Sequence, residues 1–499
     1  MIFINSSPKN SFKIFQGVSP IFVPFGIGYL MAMLERNNIR TAFVDEIFEK
    51  DILKKIHDFT KLNKPPFIFG FNVLTVTYKN AIILSKRLKE IYPGSVVIFG
   101  GVHSTAMPDE VLSNNHVDIV VRGEAEMIIT DLYLAIKNKQ DLSGICGISY
   151  KQNGNIIHNP SNNNLIQLDD LPLFPHHFFN EKNYEHGYIM TSRGCPYNCI
   201  FCSKIYGNSK LRCNSINRVI EEISFLHSNF HIKHLIFLDD DLLYNQERAI
   251  QLCEAIKKSS FYNKMVFNFC TRGDSCNEYI LKTLFDTGFK GIFIGLETAS
   301  EKIMKALKKG ETLKQTTDAA ILAKKIGYHV SSNFIFGLPG ETHADRINAF
   351  KLTKEIDLDL VKYNNATPFP GTELFKIAKS ENNMKVRGLY ENFNATATLT
   401  ENPFSKIPIP YIPAGNSENQ IRYDILYGTF KFYFSWKKIK RVFTKPELTN
   451  SWFDFGHSPK DFLKKLPAII LLLGLLSFKF GEMLFKYPFL KLFYYNKKR

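Results

Sequence analysis

Thr191-Ser-Arg-Gly-Cys-Pro-Tyr-Asn-Cys-Ile-Phe-Cys-Ser203 decides how this 499-residue chain is read. Its cysteines are spaced Cys, three residues, Cys, two residues, Cys, and no fourth follows in step. Three thiolates on one short loop can hold three irons of a cubane cluster and leave the fourth iron open. An open iron suits a reaction at the metal, whereas a complete four-cysteine set suits storage or structure. Two other readings compete. Cys213 offers a fourth thiolate for a structural zinc, but such sites usually pair two Cys-x2-Cys knuckles and only one short pair is present. A disulfide framework is weaker still. Eight Cys is ordinary usage for this length, and Met1-Ile-Phe-Ile-Asn-Ser-Ser7 reads as a first strand with no basic leader before it. A reducing compartment is therefore expected, where clustered Cys mean metal or redox chemistry.

Upstream of the loop, residues 1–140 alternate strand and helix. Apolar runs at Met1–Asn5, Thr41–Val44, Phe67–Phe71, Val96–Phe99 and Ile119–Val121 read as buried parallel strands. Helical patterns lie between them, as at Gly28–Asn37 and Lys79–Ile91. This predicts an α/β doubly wound sheet, which binds ligands at the carboxyl ends of its strands. Phe99-Gly-Gly-Val-His-Ser-Thr105 and Val121-Arg-Gly-Glu-Ala-Glu126 are the loops expected there. A tight turn would also explain the paired glycines. Gly-x-Gly-x-x-Gly is absent, so a nicotinamide dinucleotide is not expected. Residues 141–187 read as a connector, with a small hairpin turning at Asn153-Gly154 and an extended segment Asp169-Asp-Leu-Pro-Leu-Phe-Pro175.

Downstream, residues 188–385 predict six strand–helix units and so a partial (β/α)6 barrel of the TIM type. Its strands are Tyr188–Thr191, His234–Leu238, Val266–Thr271, Gly291–Leu296, His329–Phe336 and Leu360–Ala366. In such barrels chemistry sits at the carboxyl ends of the strands. The cysteine loop follows the first strand, Asp239-Asp-Asp241 the second and Arg272 the third. Glu297 ends the fourth, Asn333 lies within the fifth, and Gly337-Leu-Pro-Gly-Glu341 and Thr367-Pro-Phe-Pro-Gly-Thr372 complete the rim. Each alone could be a cap or a turn, but six falling on one rim is harder to dismiss.

Residues 386–499 lack this alternation and are expected to be mainly helical. Leu466–Phe478 is an uncharged run of thirteen, short of the roughly twenty residues a spanning helix needs. It reads either as a helix packed on the catalytic domain or as one lying in a membrane interface. The chain is 45% hydrophobic, with 44 Phe, two Trp and a net charge of +16. Much of the excess is late, at Lys431–Arg441, Lys464-Lys465 and Lys497–Arg499. No RNA-binding signature accompanies it, so nucleic acid is not an expected partner.

The order of these motifs resembles the cobalamin-dependent radical S-adenosylmethionine (SAM) enzymes, in which a B12-binding domain precedes the radical domain. Gly194-Cys-Pro-Tyr-Asn-Cys-Ile-Phe-Cys202 is similar to their cluster loop. Ile98–Thr105 with Val117–Glu126 is similar to their cobalamin domain, and Gly295–Thr298 and Phe336–Thr342 to their later barrel strands. The resemblance spans roughly residues 1–385. It implies a [4Fe–4S] cluster on Cys195, Cys199 and Cys202, with SAM bound at the open iron. It implies adenine near Phe201, and SAM's ribose and amino-acid part near Asp239, Asp240, Arg272, Glu297 and Asn333. For cobalamin it implies Thr75, Thr77, Gly100, Gly101, His103, Ser104, Arg122, Gly123 and Glu124. One departure matters: Asp-x-His-x-x-Gly, which supplies a lower cobalt ligand, is missing. His103 has Gly101 two before it and Ala106 three after it. A hydrogen bond to the corrin or its tail, or no role, is expected of it.

The implied activity is SAM cleavage, hydrogen abstraction and methylation of an unactivated carbon on a small-molecule or lipid-like substrate. The resemblance also implies a reductant such as flavodoxin or ferredoxin. An oxidative cyclase or ring-rearranging enzyme of the same group is the alternative. An RNA methylthiotransferase ranks lower, because those enzymes carry a second cluster on N-terminal Cys and no Cys precedes Cys146. A non-enzymatic cobalamin carrier would not need the Cys triad. A cytoplasmic location is expected, with peripheral contact at the inner face of the membrane through the tail.

Overall fold

The computed structural model describes residues 1–7, 20–49, 51–61, 64–180, 184–203, 210–401, 407–435 and 459–486. Five of the apolar runs form parallel strands β1 (Ile2–Asn5), β2 (Ala42–Asp45), β3 (Ile68–Asn72), β4 (Val96–Gly100) and β5 (Ile119–Val121). Their order is β2-β1-β3-β4-β5. Helices such as Phe25–Arg36 and Tyr78–Ile91 cover the sheet, which is why its strands read as continuous apolar runs. The order reverses between β1 and β3, and such reversals open a crevice at the carboxyl ends of the strands.

The expected hairpin is β6 (Ile148–Gln152) and β7 (Asn155–His158). Asn153 and Gly154 both have positive φ, 51° and 80°, as a two-residue primed turn requires. Its placement in a separate connector is corrected, because β6 pairs antiparallel with β5 and makes this a seven-stranded sheet. The physical reason is that β5 would otherwise be an open edge with unpaired backbone groups. Arg122 fastens the addition by donating to the carbonyls of Ile148 and Asn159.

The second sheet is a partial barrel of six parallel strands. They are β8 (Tyr188–Ile189), β11 (His234–Phe237), β12 (Val266–Thr271), β13 (Phe289–Ile294), β14 (His329–Phe336) and β15 (Leu360–Asn365), in that spatial order. Between β8 and β11 the chain makes a two-stranded ribbon, β9 (Ser192–Arg193) with β10 (Arg212–Cys213). Alternate barrel residues point to the helices or to the interior. Phe334 stacks on Tyr363, and Tyr363 meets Phe350 of helix His343–Ile356, so these face outward. Asn333 and Lys362, one step along and opposite each other in register, therefore face inward.

Beyond residue 385 the chain first returns to the N-terminal domain. Tyr390 and Phe393 are buried in that domain's core, and the Tyr390 hydroxyl donates to Glu110 Oε2 at 2.8 Å. Helix Glu418–Tyr433 then packs on the barrel. It is bolted there by Arg346, which is fully buried and donates to Asp424 Oδ2 at 2.6 Å, Asn416 Oδ1 at 2.9 Å and Glu341 Oε2 at 3.2 Å. Burial pushes the Glu341 carboxyl up to about 7 despite that arginine. The apolar run Leu466–Phe478 proves to be the middle of one 28-residue helix, Pro459–Lys486. The basic residues from Lys437 to Arg441 and Lys497–Arg499 lie outside the described residues.

Candidate functional site

The strand ends of the first sheet and the cysteine loop face each other across a cavity of about 350 Å3. Phe3, Asn72, Gly100, Gly101, Gly123 and Glu124 line it from one side, and Arg193, Gly194, Cys195, Cys202 and Asp240 from the other. Gly123, at φ +80°, has nothing within 4 Å of where a Cβ would stand, so it presents bare backbone to this space. Gly101 is required for a different reason. A Cβ there would lie 2.6 Å from Asn72 Oδ1 and 2.9 Å from the Val73 backbone.

The cysteine loop is held from both ends and from its middle. A Cβ on Gly194 would meet the Lys210 carbonyl at 2.7 Å, which pins the loop's start to the chain entering β10. Ile200 donates its N–H to the Leu307 carbonyl at 3.0 Å and accepts from Leu374 N–H at 2.8 Å. Its side chain is buried among Leu307, Leu338 and Leu374, with Phe201 partly buried against the same cluster. Arg272 lies over the Tyr197 ring at 3.4 Å and forks onto Asp274 at 2.9 and 2.7 Å. Its third bond, to the Lys309 carbonyl at 2.6 Å, ties the loop to the far rim. Burial raises the Cys199 thiol, while Lys309 and Arg272 pull it back down. A soft sulfur donor set with cations behind it suits an iron–sulfur cluster. Among the described residues, no three Cys, His, Asp or Glu side chains gather around a single-ion position. Cys213 sits apart in β10, opposite Ser192.

The acidic rim divides into residues that position and residues that face the cavity. Asp239 is buried and fully engaged, accepting from Thr191 Oγ1 at 2.9 Å and from the Ser192 hydroxyl. Burial raises its carboxyl and these hydrogen bonds oppose the rise. Asp241 likewise accepts from Thr271 Oγ1 at 2.7 Å and Ser275 Oγ at 3.2 Å. Asp240, between them, reaches the cavity wall. Glu297 has φ +62°, a left-handed backbone that is strained for a residue with a Cβ. Its backbone bridges to Asn333 and Ile335, and its carboxylate, raised by burial, lies 3.9 Å from Lys309 Nζ. Inside the barrel, Asn268 Oδ1 and Asn333 Oδ1 are buried with no hydrogen-bond partner among the described residues. Burial lowers the neighbouring Lys362 amine to about 8. Unmet acceptors beside an amine suit a polar ligand entering the barrel.

On the first domain's side, Thr75, Thr77, His103, Ser104 and Arg122 do not reach the cavity wall. Thr77 caps its own turn at Leu74. His103 is packed between Tyr78 and Tyr390, with Nδ1 3.3 Å from Thr75 Oγ1. Burial lowers its pKa to about 4, so the ring is neutral. His103 Nε2, Ser104 Oγ and Ser6 Oγ are buried without partners among the described residues. All three follow the carboxyl ends of β1 or β4, where a polar cofactor tail would satisfy them.

An ion-pair network that the sequence did not disclose joins the two halves. Arg193 donates to Glu126 Oε1 at 2.7 Å and Glu124 Oε2 at 3.1 Å, with its guanidinium 5.3 Å over the Tyr29 ring. Arg212 pairs with Glu124 from the other side. The visible signal was an arginine directly before Gly194-Cys195, but its partners are some seventy residues upstream. Lys309 and Glu311, paired at 2.6 Å, were also missed. Glu311 accepts from the Gly273 and Asp274 N–H groups at 2.9 and 3.2 Å.

Close by, Glu222 on helix Ile216–Phe230 is buried, and its Oε1 has no partner among the described residues. Burial raises its carboxyl to about 7. Raising a carboxyl above its unfolded value means the folded state holds the proton more tightly. Stability is then lost as pH climbs from about 4.5 through 7. Glu222→Gln is expected to stabilise the fold at pH 8 by up to about 3 kcal/mol, at 1.4 kcal/mol per pKa unit, and to change little at pH 4.5. Thermal midpoints of both proteins at the two pH values test this, and an equal shift at both would refute it.

The Radical SAM superfamily pattern matches residues 189–353, and the B12 binding domain pattern matches residues 16–132. An uncharacterized methyltransferase of Pyrococcus horikoshii is 33% identical over 369 residues, covering 72% of this chain and 79% of that protein. An anaerobic magnesium-protoporphyrin IX monomethyl ester cyclase of Rubrivivax gelatinosus is 25% identical over 72% of this chain and 66% of that protein. Two solved structures share the fold. The radical SAM methyltransferase TsrM from Kitasatospora setae, with cobalamin and a [4Fe–4S] cluster bound, gives a TM-score of 0.64 at 17% identity, covering 85% of this chain and 84% of that one. OxsB, a cobalamin-dependent radical SAM enzyme with aqua-cobalamin and SAM bound, gives 0.67 at 16% identity, covering 95% and 71%.

Proposed function

The chain belongs to the cobalamin-dependent radical SAM enzymes, and from that premise we propose that it transfers a methyl group to an unactivated carbon of a small-molecule or lipid-like substrate. Its cofactors are a [4Fe–4S] cluster, SAM and cobalamin. When bound, they supply the electron for SAM cleavage, the hydrogen-abstracting group and the methyl carrier, chemistry that no side chain provides.

The observation that carries the reading is the shared cavity, into which Gly100 and Gly123 look from one domain and Cys195, Cys202 and Asp240 from the other. In this reading Cys195, Cys199 and Cys202 hold the cluster. Asp239 fixes Thr191 and Ser192 ahead of the loop, and Arg272 fixes Tyr197 within it. Glu297, Lys309, Asn333 and Asp240 surround SAM. Ser6, Ser104 and the open backbone of Gly100 and Gly123 receive cobalamin. Phe3, Phe25, Ile27 and Leu30 give the cavity an apolar wall.

The cyclase relatives favour a second reading, without methylation. Anaerobic turnover with reconstituted cluster, cobalamin, SAM, reductant and metabolite or lipid extracts separates them. Methylation is expected to yield 5′-deoxyadenosine and S-adenosylhomocysteine together, with a product heavier by one CH2 unit, a methyl group having replaced a hydrogen. 5′-Deoxyadenosine without S-adenosylhomocysteine supports cyclisation, and absence of 5′-deoxyadenosine sinks both.

Gly100→Leu tests the cobalamin side alone. A Cβ on Gly100 stands 3.9 Å or more from its neighbours, so the branched side chain extends into the cavity rather than into the core. The variant is expected to retain at least about tenfold less cobalamin, a loss of 1.4 kcal/mol or more, with cluster absorbance unchanged. Full cobalamin retention would place the corrin elsewhere.

A further inference from the structure

Helix Pro459–Lys486 is apolar on two opposite faces. Leu472, Leu475 and Met483 are buried on one, where Met483 packs with Leu426 and Phe430 of helix Glu418–Tyr433 and Phe480 packs edge-on against Phe430 and Phe434. On the other face Leu463, Ile470, Leu471, Leu473, Phe478 and Phe485 are exposed, Ile470 by 60% and Phe485 by 79%. At 100° per residue the exposed set spans an arc of about 160°. The described residues leave this arc uncovered.

A helix apolar all round belongs in a core or in lipid. This one is not in a core, since only 22% of its most apolar stretch, within Leu463–Phe485, is buried. That stretch is long and apolar enough to cross a bilayer, but its packing rules crossing out. The inner face packs on helix Glu418–Tyr433 through Met483 and Phe480, and Arg346 bolts that helix to the barrel through Asp424. Lys479, mid-helix, is buried with Glu482 at 3.3 Å. The helix is therefore held to the catalytic domain by its inner face, with its outer face uncovered among the described residues.

Charge identifies the occupant. Residues 431–499 contain fifteen Lys and Arg against four Asp and Glu, a net +11 of the chain's +16. A second copy would bring the same net positive charge with it. An anionic bilayer complements that charge and receives the exposed apolar side chains at its acyl boundary.

We propose that the outer face of helix Pro459–Lys486 docks this enzyme flat on an anionic lipid bilayer. The docking is monotopic: the helix lies parallel to the membrane plane and carries the barrel with it.

The test is flotation of the full-length protein with phosphatidylcholine vesicles, with and without phosphatidylglycerol. Binding is expected with the anionic vesicles and at least about tenfold weaker with neutral ones. Combining Ile470→Ser, Leu473→Ser and Phe485→Ser is expected to abolish flotation. Cluster absorbance and 5′-deoxyadenosine formation should be unchanged, so docking and chemistry are read separately. Flotation of the triple variant at the wild-type level would overturn the proposal, as would failure of the wild type to bind either vesicle. A dimer in sedimentation velocity that the triple variant breaks, with no vesicle binding, would also overturn it and assign the face to a second copy.

Discussion

Cys199→Ala is expected to reduce 5′-deoxyadenosine formation by more than about a thousandfold, roughly 4 kcal/mol of barrier, and to leave the fold intact. Cys199 is half-buried, with Lys309 and Arg272 as charged neighbours. On the proposed assignment, removing it takes away one of three cluster ligands while Ile200 keeps its bonds to Leu307 and Leu374. The loop should therefore stay placed. Iron content, cluster absorbance and 5′-deoxyadenosine yield measure the loss, and circular dichroism checks the fold. Cys213→Ala is the control that separates this from a four-thiol zinc site. It should keep its iron and its activity, and equal damage from both substitutions would revive the zinc reading.

The second large effect is expected at the domain junction. Arg193→Met removes a guanidinium that serves Glu124 and Glu126 together, with all three side chains nearly inaccessible to water. Breaking a buried pair from one side leaves uncompensated charge and costs about 3–5 kcal/mol. Here it strands Glu126, since Arg212 still pairs with Glu124. Combining Arg193→Met with Glu126→Gln should recover part of the loss, because the stranded charge is then gone. Denaturant midpoints of the single and double variants test this. A single variant within 1 kcal/mol of wild type would show that the junction does not depend on these charges.

The strands were legible because burial on both faces leaves an unbroken apolar run, as at Phe67–Phe71 and His329–Phe336. The cysteine loop was legible because its spacing carries its own chemistry. Other residues were misread because sequence order does not fix side-chain direction. Arg122 stands beside Gly123 in a loop that reaches the cavity, yet its guanidinium turns back to hold the hairpin. Thr77 spends its hydroxyl on its own turn. The Arg193 network joins residues nearly seventy positions apart, and no local pattern encodes that pairing. The boundary at residue 140 failed for a related reason. An open edge at β5 is a property of the folded sheet, and the hairpin that closes it looks like a linker in sequence.

Tyr390 and Phe393, in the core of the N-terminal domain, bear on the order of events during synthesis. Domains generally fold as units, N-terminal first, as the chain emerges. This one cannot finish that way, because the aromatic pair that seals Tyr78 and His103 arrives only after the whole barrel has been translated. The nascent first domain carries an unfilled gap in its core until then. A ribosome-bound fragment ending near residue 160 should accordingly be less resistant to protease than one extended past Phe393. Cofactor loading on that domain is expected to be fuller in chains extended past Phe393 than in the shorter fragment.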